Sequence, residues 1–401
     1  MRADVDLFIT LVHGTWPRNV WRDVFLTPFY GKWPTRSFPR SLWFADGSEF
    51  RNRLCTGLSK RGLSARISPF LWSGANSVRE RDKAAQELAE HIRAKQFDHP
   101  GSIQVVIAHS HGGNVALRAL DQPGVTGDEI FITTIATPFV EILRTKLSSN
   151  ETRRIDFMVS LIASILVPHY VTTYFSTLNS YVFYSIAALG GLQPFLLLFG
   201  LRAWNTRKVD ELVGLTALSP AIRKHPLLVL RAVDDEASLA LAAATIGNRF
   251  SRLLEKSSYK IWVWLPLLAV VFFLGLQAIK SFAPLDDFRA WAFDWVPALS
   301  RGLVLAFFAF LFSPGVFNSA YGRELLPIFQ GCEINSQSAP DSIDRQSEFL
   351  SEPTPTNWAM VVTLHQAEEA RRGLRHGLYD DPQCAERIAG WLQSELARRG
   401  I

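Results

Sequence analysis

The chain has 401 residues, 48% of them apolar and 20% charged, which excludes a disordered or collagen-like polymer and leaves ample material for a core. Its net charge of +5 is modest and no dense Lys/Arg tract occurs, so nucleic acid is not an expected partner. Cys55, Cys332 and Cys384 are scattered without a CxxC pair, which suggests neither a disulfide framework nor a zinc site and suits a reducing compartment.

The first apolar run, Asp6–Val12, is short, follows Asp4 and Asp6, and ends at the turn His13-Gly14-Thr15, so it reads as a buried strand rather than an export signal. Further strands are expected at about Ala65–Leu71, Ile103–Ala108, Ile130–Ala136, Leu227–Val233 and Trp358–Leu364. Ser77 can cap a helix whose apolar positions Val78, Ala84, Ala85, Leu88 and Ile92 share one face. A second helix should follow the sharp turn after Ala108. Another, with Ile388, Trp391, Leu392 and Leu396 on one face, should close the core. Apolar strands separated by helices imply an α/β fold with a doubly wound, mostly parallel sheet.

Long uncharged stretches interrupt this pattern. Phe157–Leu201 holds 45 residues without Asp, Glu, Lys or Arg, Ile261–Ile279 holds 19 more, and Gly302–Tyr321 is also uncharged. A bilayer core takes about 20 apolar residues per helix, so these fit two transmembrane hairpins. The first comprises Phe157–Phe175 and Tyr181–Leu201, and the second Ile261–Ile279 and Gly302–Tyr321. The implied organisation is a core from 1–150, 203–258 and 345–401, hairpins at 151–202 and 259–325, and a linker at 326–356, rich in Ser, Pro and Asp beyond Ser336. Twelve Lys and Arg flank the hairpins on the sheet side against three (Lys280, Arg289 and Arg301) on the far side, which places the sheet domain in the cytoplasm.

Chemistry is concentrated in Ala108-His109-Ser110-His111-Gly112-Gly113, at a strand-to-helix turn. A serine hydroxyl becomes a useful nucleophile when it is held clear of the backbone beside a base, and a tight turn at a helix N-terminus also faces developing negative charge. These residues resemble the G-x-S-x-G nucleophile elbow of the α/β-hydrolase superfamily, with Ala108 in place of the first glycine. The superfamily's His-Gly oxyanion turn is matched by His13-Gly14-Thr15, with His13 fixing the turn. The resemblance covers about 250 residues, makes Ser110 the nucleophile, and gives the oxyanion hole to the backbone N–H groups of Thr15 and His111. It expects an acid and a histidine to follow in that order.

The strand Leu227–Val233 runs into Asp234-Asp235, and the family's spacing selects Asp235 as the acid, with Asp234 the alternative. His376, just before the final helix, is the expected base, and His365 is its rival. The family's lid insertion point coincides with the first hairpin, which would set Ser110 near a bilayer and favour acyl-ester or lipid substrates. The expectation is a membrane-anchored serine hydrolase acting on lipid-like carboxylic esters through an acyl-enzyme. A thioesterase or amidase on acylated proteins would use the same triad, and a non-catalytic membrane adaptor would not need one. No phosphate loop, dinucleotide fingerprint or zinc-ligand spacing occurs, so no cofactor or metal is implied. The loop Trp16–Phe44 carries nine aromatic residues beside the oxyanion turn, suited to an acyl-chain entrance, lipid headgroups or plain packing.

Overall fold

Strands buried on both faces must alternate apolar side chains between two layers of helices, and this alternation builds the molecule. The computed structural model describes residues 5–15, 42–123, 125, 130–145, 203–218, 220–232, 245–249, 252, 313–328, 331–337, 359–364 and 377–401. Six parallel strands form one sheet: β1 (Val5–Val12), β2 (Leu63–Phe70), β3 (Ile103–His109), β4 (Phe131–Ile135), β6 (Leu227–Ala232) and β8 (Ala359–Leu364). Their order is β2-β1-β3-β4-β6-β8, with β3 and β1 in the interior. Pro69 lacks an N–H and is accommodated in β2, an edge strand that pairs only with β1.

On one face Leu7, Ile9, Leu11, Val105, Ile107, Leu228 and Leu230 pack against α1 (Glu49–Ser59) and α5 (Pro382–Arg398). On the other, Val106, Ala108, Ile132, Leu227 and Val229 meet α2 (Val78–Asp98) and α3 (His111–Leu120). The apolar runs are continuous because both faces are covered. The helix starts follow ordinary capping: Ser77 accepts from Glu80 N–H at 3.1 Å, and Asp381 accepts from Gln383 N–H at 2.8 Å ahead of Pro382. Ile388, Leu392 and Leu396 of α5 are buried, as the periodicity predicts.

A smaller unit lies beside the sheet. β5 (Phe139–Arg144) pairs antiparallel with β7 (Cys332–Gln337), from Phe139 opposite Gln337 to Arg144 opposite Cys332. Val140, Ile142, Ile334 and Tyr321 form its core with Val209 and Leu212 of α4, the helix over 203–216. The linker expected over 326–356 therefore needs correction, since residues 332–337 form a strand. β7 buries Cys332, Ile334 and Ser336 on one side while Glu333 and Asn335 lie less buried. Tyr321, expected at the end of the fourth membrane arm, belongs instead to this core. Tyr321 is fully buried in this core, and its carbonyl accepts from the Arg81 guanidinium. Asn76 holds the Ser319 and Ala320 carbonyls at 3.0 and 3.1 Å. Among the described residues no helix is long and apolar enough to cross a membrane. The remaining expected arms, Phe157–Phe175, Tyr181–Leu201, Ile261–Ile279 and the stretch 302–312, lie outside the described residues.

His225 sits just before β6, at the end of the sheet opposite Ser110, which excludes it as a base for that hydroxyl. It is fully buried, and its Nδ1 accepts from Ile130 N–H at 3.1 Å, so the proton belongs on Nε2. Burial, with Lys224 adding to it, pushes its pKa down to about 4 from 6.5. The unfolded chain therefore takes up a proton at a higher pH than the folded one. His225 contributes stability that is full above about pH 6.5 and is lost as pH falls toward 4, on the order of 3 kcal/mol. In urea titrations between pH 7 and pH 4.5, His225→Gln should lose less stability than the unmodified chain. Equal losses would contradict this account.

Candidate functional site

β3 is apolar, central and paired on both sides, so its C-terminal end is held firmly. There the chain reverses direction at Ser110, with φ 55° and ψ −137°, before α3 begins at His111. That backbone conformation costs a residue with a side chain about 1–3 kcal/mol. Surrounding hydrogen bonds hold it: Ser110 N–H donates to the Ile135 carbonyl at 2.9 Å. The Ser110 carbonyl accepts from Gly113 N–H at 2.9 Å and from Thr137 Oγ1 at 3.0 Å. The Ser110 hydroxyl makes no capping bond to α3, which leaves it available for chemistry.

The turn after β1 closes over this point. β1 and β3 are paired with Val12 opposite Ala108, so two residues further on Gly14 faces Ser110. A methyl group at Gly14 would sit 2.5 Å from Ser110 Cβ and 3.1 Å from its Oγ, and one at Gly112 would sit 2.5 Å from the His13 carbonyl oxygen. Only glycine permits such backbone proximity. Ala108, which stands where the resemblance would have a glycine, is a fully buried residue of β3.

His13 fixes the turn, as the sequence suggests. Its Nε2 accepts from Trp72 N–H at 3.3 Å, so its Nδ1 carries the proton and donates to the Gly14 carbonyl at 2.8 Å. The Trp72 indole N–H donates to the His13 carbonyl at 2.8 Å. The ring stacks between Phe44 and Trp72, with centroids 5.1 and 5.7 Å away. Burial lowers its pKa against the opposing pull of these hydrogen bonds, keeping it neutral.

The structure brings together Ser110, His111 and the turn leading to Thr15. His111 is buried, with Nδ1 3.4 Å from Asn114 Nδ2, and Thr15 is half-buried. Asp235, Asp234, His376 and His365 lie outside the described residues. Their neighbours are described: β6 carries the chain to Ala232, three positions before Asp235, and the chain is described again from Gly377, directly after His376. Because the six strands are parallel, β6 ends at the same edge of the sheet as β3.

Several contacts at the site escape sequence reasoning. The short turn Leu378–Asp380 reaches the elbow, with the Tyr379 ring edge-on to His109 at 4.9 Å and stacked on Trp43 at 5.5 Å. Trp43 and Phe44, from the aromatic loop, belong to the core. Thr137, just beyond the expected strand Ile130–Ala136, donates its hydroxyl to the Ser110 carbonyl. Cys332 and Cys384 are buried, which drives both thiols up in pKa, Cys332 to about 12, and makes them poor nucleophiles. Among the described residues no group of His, Cys, Asp and Glu could hold a metal ion. No family model and no curated protein matches the chain.

Strain at Ser110 has a measurable signature. Ser110→Gly should be more stable than Ser110→Ala by about 1 kcal/mol or more in chemical denaturation, since only glycine relaxes at this φ. Gly112→Ala should lose about 1–3 kcal/mol or more, because the atoms it meets are backbone and the His13 carbonyl is already held by Trp72.

Proposed function

We propose that the chain is a membrane-anchored serine hydrolase that cleaves carboxylic esters of lipid or lipid-like substrates, with its hydrolase domain facing the cytoplasm. The observation that carries this reading is the serine at φ 55°, ψ −137° between a central parallel strand and a helix, with the Gly14 backbone against it. An ordinary capping serine has no need of a costly backbone conformation and would bond to its helix.

In this mechanism His376 removes the Ser110 proton as Oγ forms a bond to the substrate carbonyl carbon. The carbonyl π electrons move onto oxygen, which the Thr15 and His111 N–H groups stabilise. Asp235 holds the imidazole in its tautomer and balances its cation, with Asp234 the alternative for this role. Collapse of the tetrahedral adduct breaks the ester C–O bond, and the departing alcohol takes the proton from His376. Water then repeats the sequence on the acyl-serine and restores the free hydroxyl.

Two features support bringing these groups together. Tyr379, three residues beyond His376, packs on His109 beside the serine. The end of β6 shares the sheet edge of β3, separated from it only by β4. Substrate class follows from the insertions. The uncharged stretches leave the core after β5 and again after residue 252, on the elbow's flank, where accessible substrates would carry acyl chains.

A fluorophosphonate probe should label the detergent-solubilised chain and fail to label Ser110→Ala. Asp235→Asn should lower kcat by about 10⁴-fold, whereas Asp234→Asn should have a much smaller effect, in hydrolysis of p-nitrophenyl esters. Absence of labelling in the folded chain would overturn the enzymatic assignment. Carbonate extraction should leave the chain in the membrane pellet, and its release would count against spanning hairpins.

A further inference from the structure

β5 presents a problem that the structure solves with side chains. One edge pairs with β7, and the opposite edge offers the N–H groups of Val140 and Ile142. No strand takes them. Val140 N–H donates to Asn114 Oδ1 at 3.2 Å, and Ile142 N–H donates to Thr216 Oγ1 at 3.1 Å. Thr216 is the last residue of α4, whereas Asn114 lies in the first turn of α3, three residues after His111.

The amide of Asn114 does more than cover an edge. Its Nδ2 donates to the Pro138 carbonyl at 2.8 Å and lies 3.4 Å from His111 Nδ1. One side chain thus joins the start of α3 to both ends of the Pro138–Val140 segment. That segment begins next to Thr137, whose hydroxyl grips the Ser110 carbonyl. Beyond β5 the small unit is tied together by described residues that lie in sequence from β5 to β7, among them residues on either side of the first uncharged stretch and before the second. Arg144 pairs with Asp210 at 3.0 Å, and Asn248 exchanges two hydrogen bonds with the Ile334 backbone at 2.6 and 3.0 Å. Arg252 pairs with Glu333. Asn114 is where this collar meets the elbow.

We propose that Asn114 is a positioning residue, which sets the first turn of α3, and with it the His111 N–H, against the collar. This rests on the serine-hydrolase assignment made above. A displaced oxyanion donor weakens the transition state more than substrate binding, whereas the Thr216 hydroxyl, which bonds to Ile142 N–H and the Leu212 carbonyl of its own helix, only covers the strand edge.

The test compares Asn114→Ala, Asn114→Asp and Thr216→Val in detergent. Asn114→Asp keeps an acceptor for Val140 but cannot donate to Pro138, and so serves if the alanine variant does not fold. Both Asn114 variants should reach the same final stoichiometry of fluorophosphonate labelling as the parent chain, at a rate lowered about tenfold. Their kcat on p-nitrophenyl butyrate should fall similarly, with KM within twofold. Thr216→Val should label at the parental rate. The proposal is overturned if both Asn114 variants label within twofold of a parent that does label, or if Thr216→Val slows labelling equally. If the parent itself is not labelled, the hydrolase assignment fails, and the positioning role fails with it.

Discussion

Everything at the candidate site depends on one contact between two stretches of backbone. β1 and β3 lie side by side in register, so the turn leaving β1 necessarily arrives over the turn leaving β3. The two can approach only because Gly14 and Gly112 lack side chains. That approach sets the Val12 and His13 carbonyls against Gly112 at the start of α3, while Ile135 and Thr137 hold the backbone of Ser110. The neutral, doubly bonded His13 belongs to the same device. It serves as a fixed spacer between Phe44 and Trp72 and has no proton-transfer task.

The interior strands of the main sheet were legible in the chain because burial on both faces writes them as largely apolar runs, whereas the edge strands β2 and β8, less buried, showed as shorter apolar stretches between turns. α2 and α5 were legible through their spacing, and α2 also through Ser77 at its start, whereas the Asp381 cap of α5 emerged with the structure. β7 was not, because Cys332-Glu333-Ile334-Asn335-Ser336-Gln337 alternates correctly but is built of polar types that also make loops. β5 was hidden for a different reason: it follows Thr137-Pro138 at once and leads toward the uncharged stretch. For the site, the elbow and oxyanion turn could be read from glycines next to a serine and a histidine. The roles of Asn114, Thr137 and Tyr379 could not, since each acts through a partner distant in sequence: Val140, Ser110 and His109.

The small β5–β7 unit gives the molecule a second centre of organisation. Its core joins Val78 at the start of α2 to elements from three other parts of the chain, β5, α4 and residues 321–334, which lie next to the uncharged stretches in the sequence. Buried Arg81 is part of this arrangement. Burial lowers its pKa to about 10 despite the favourable presence of Glu324, which leaves it cationic at neutral pH and able to hold the Tyr321 carbonyl. Glu324 in turn accepts from Val78 N–H at 3.0 Å and from the Ser77 hydroxyl, closing the start of α2. The sheet domain and the segments beside the apolar stretches thus share polar connections as well as apolar ones.

The packing of α5 on α1 bears on biosynthesis. α1 precedes both apolar stretches in the chain, and α5 follows them, yet the two cover one face of the sheet together. During vectorial synthesis the early strands can assemble with α1, but the part of that face which α5 covers stays open until α5 has been made. Any commitment of the intervening segments to lipid would therefore precede closure of the core. A nascent polypeptide stalled before residue 382 would hold the strained turn at Ser110 over an incomplete layer, which is completed only once α5 has been made.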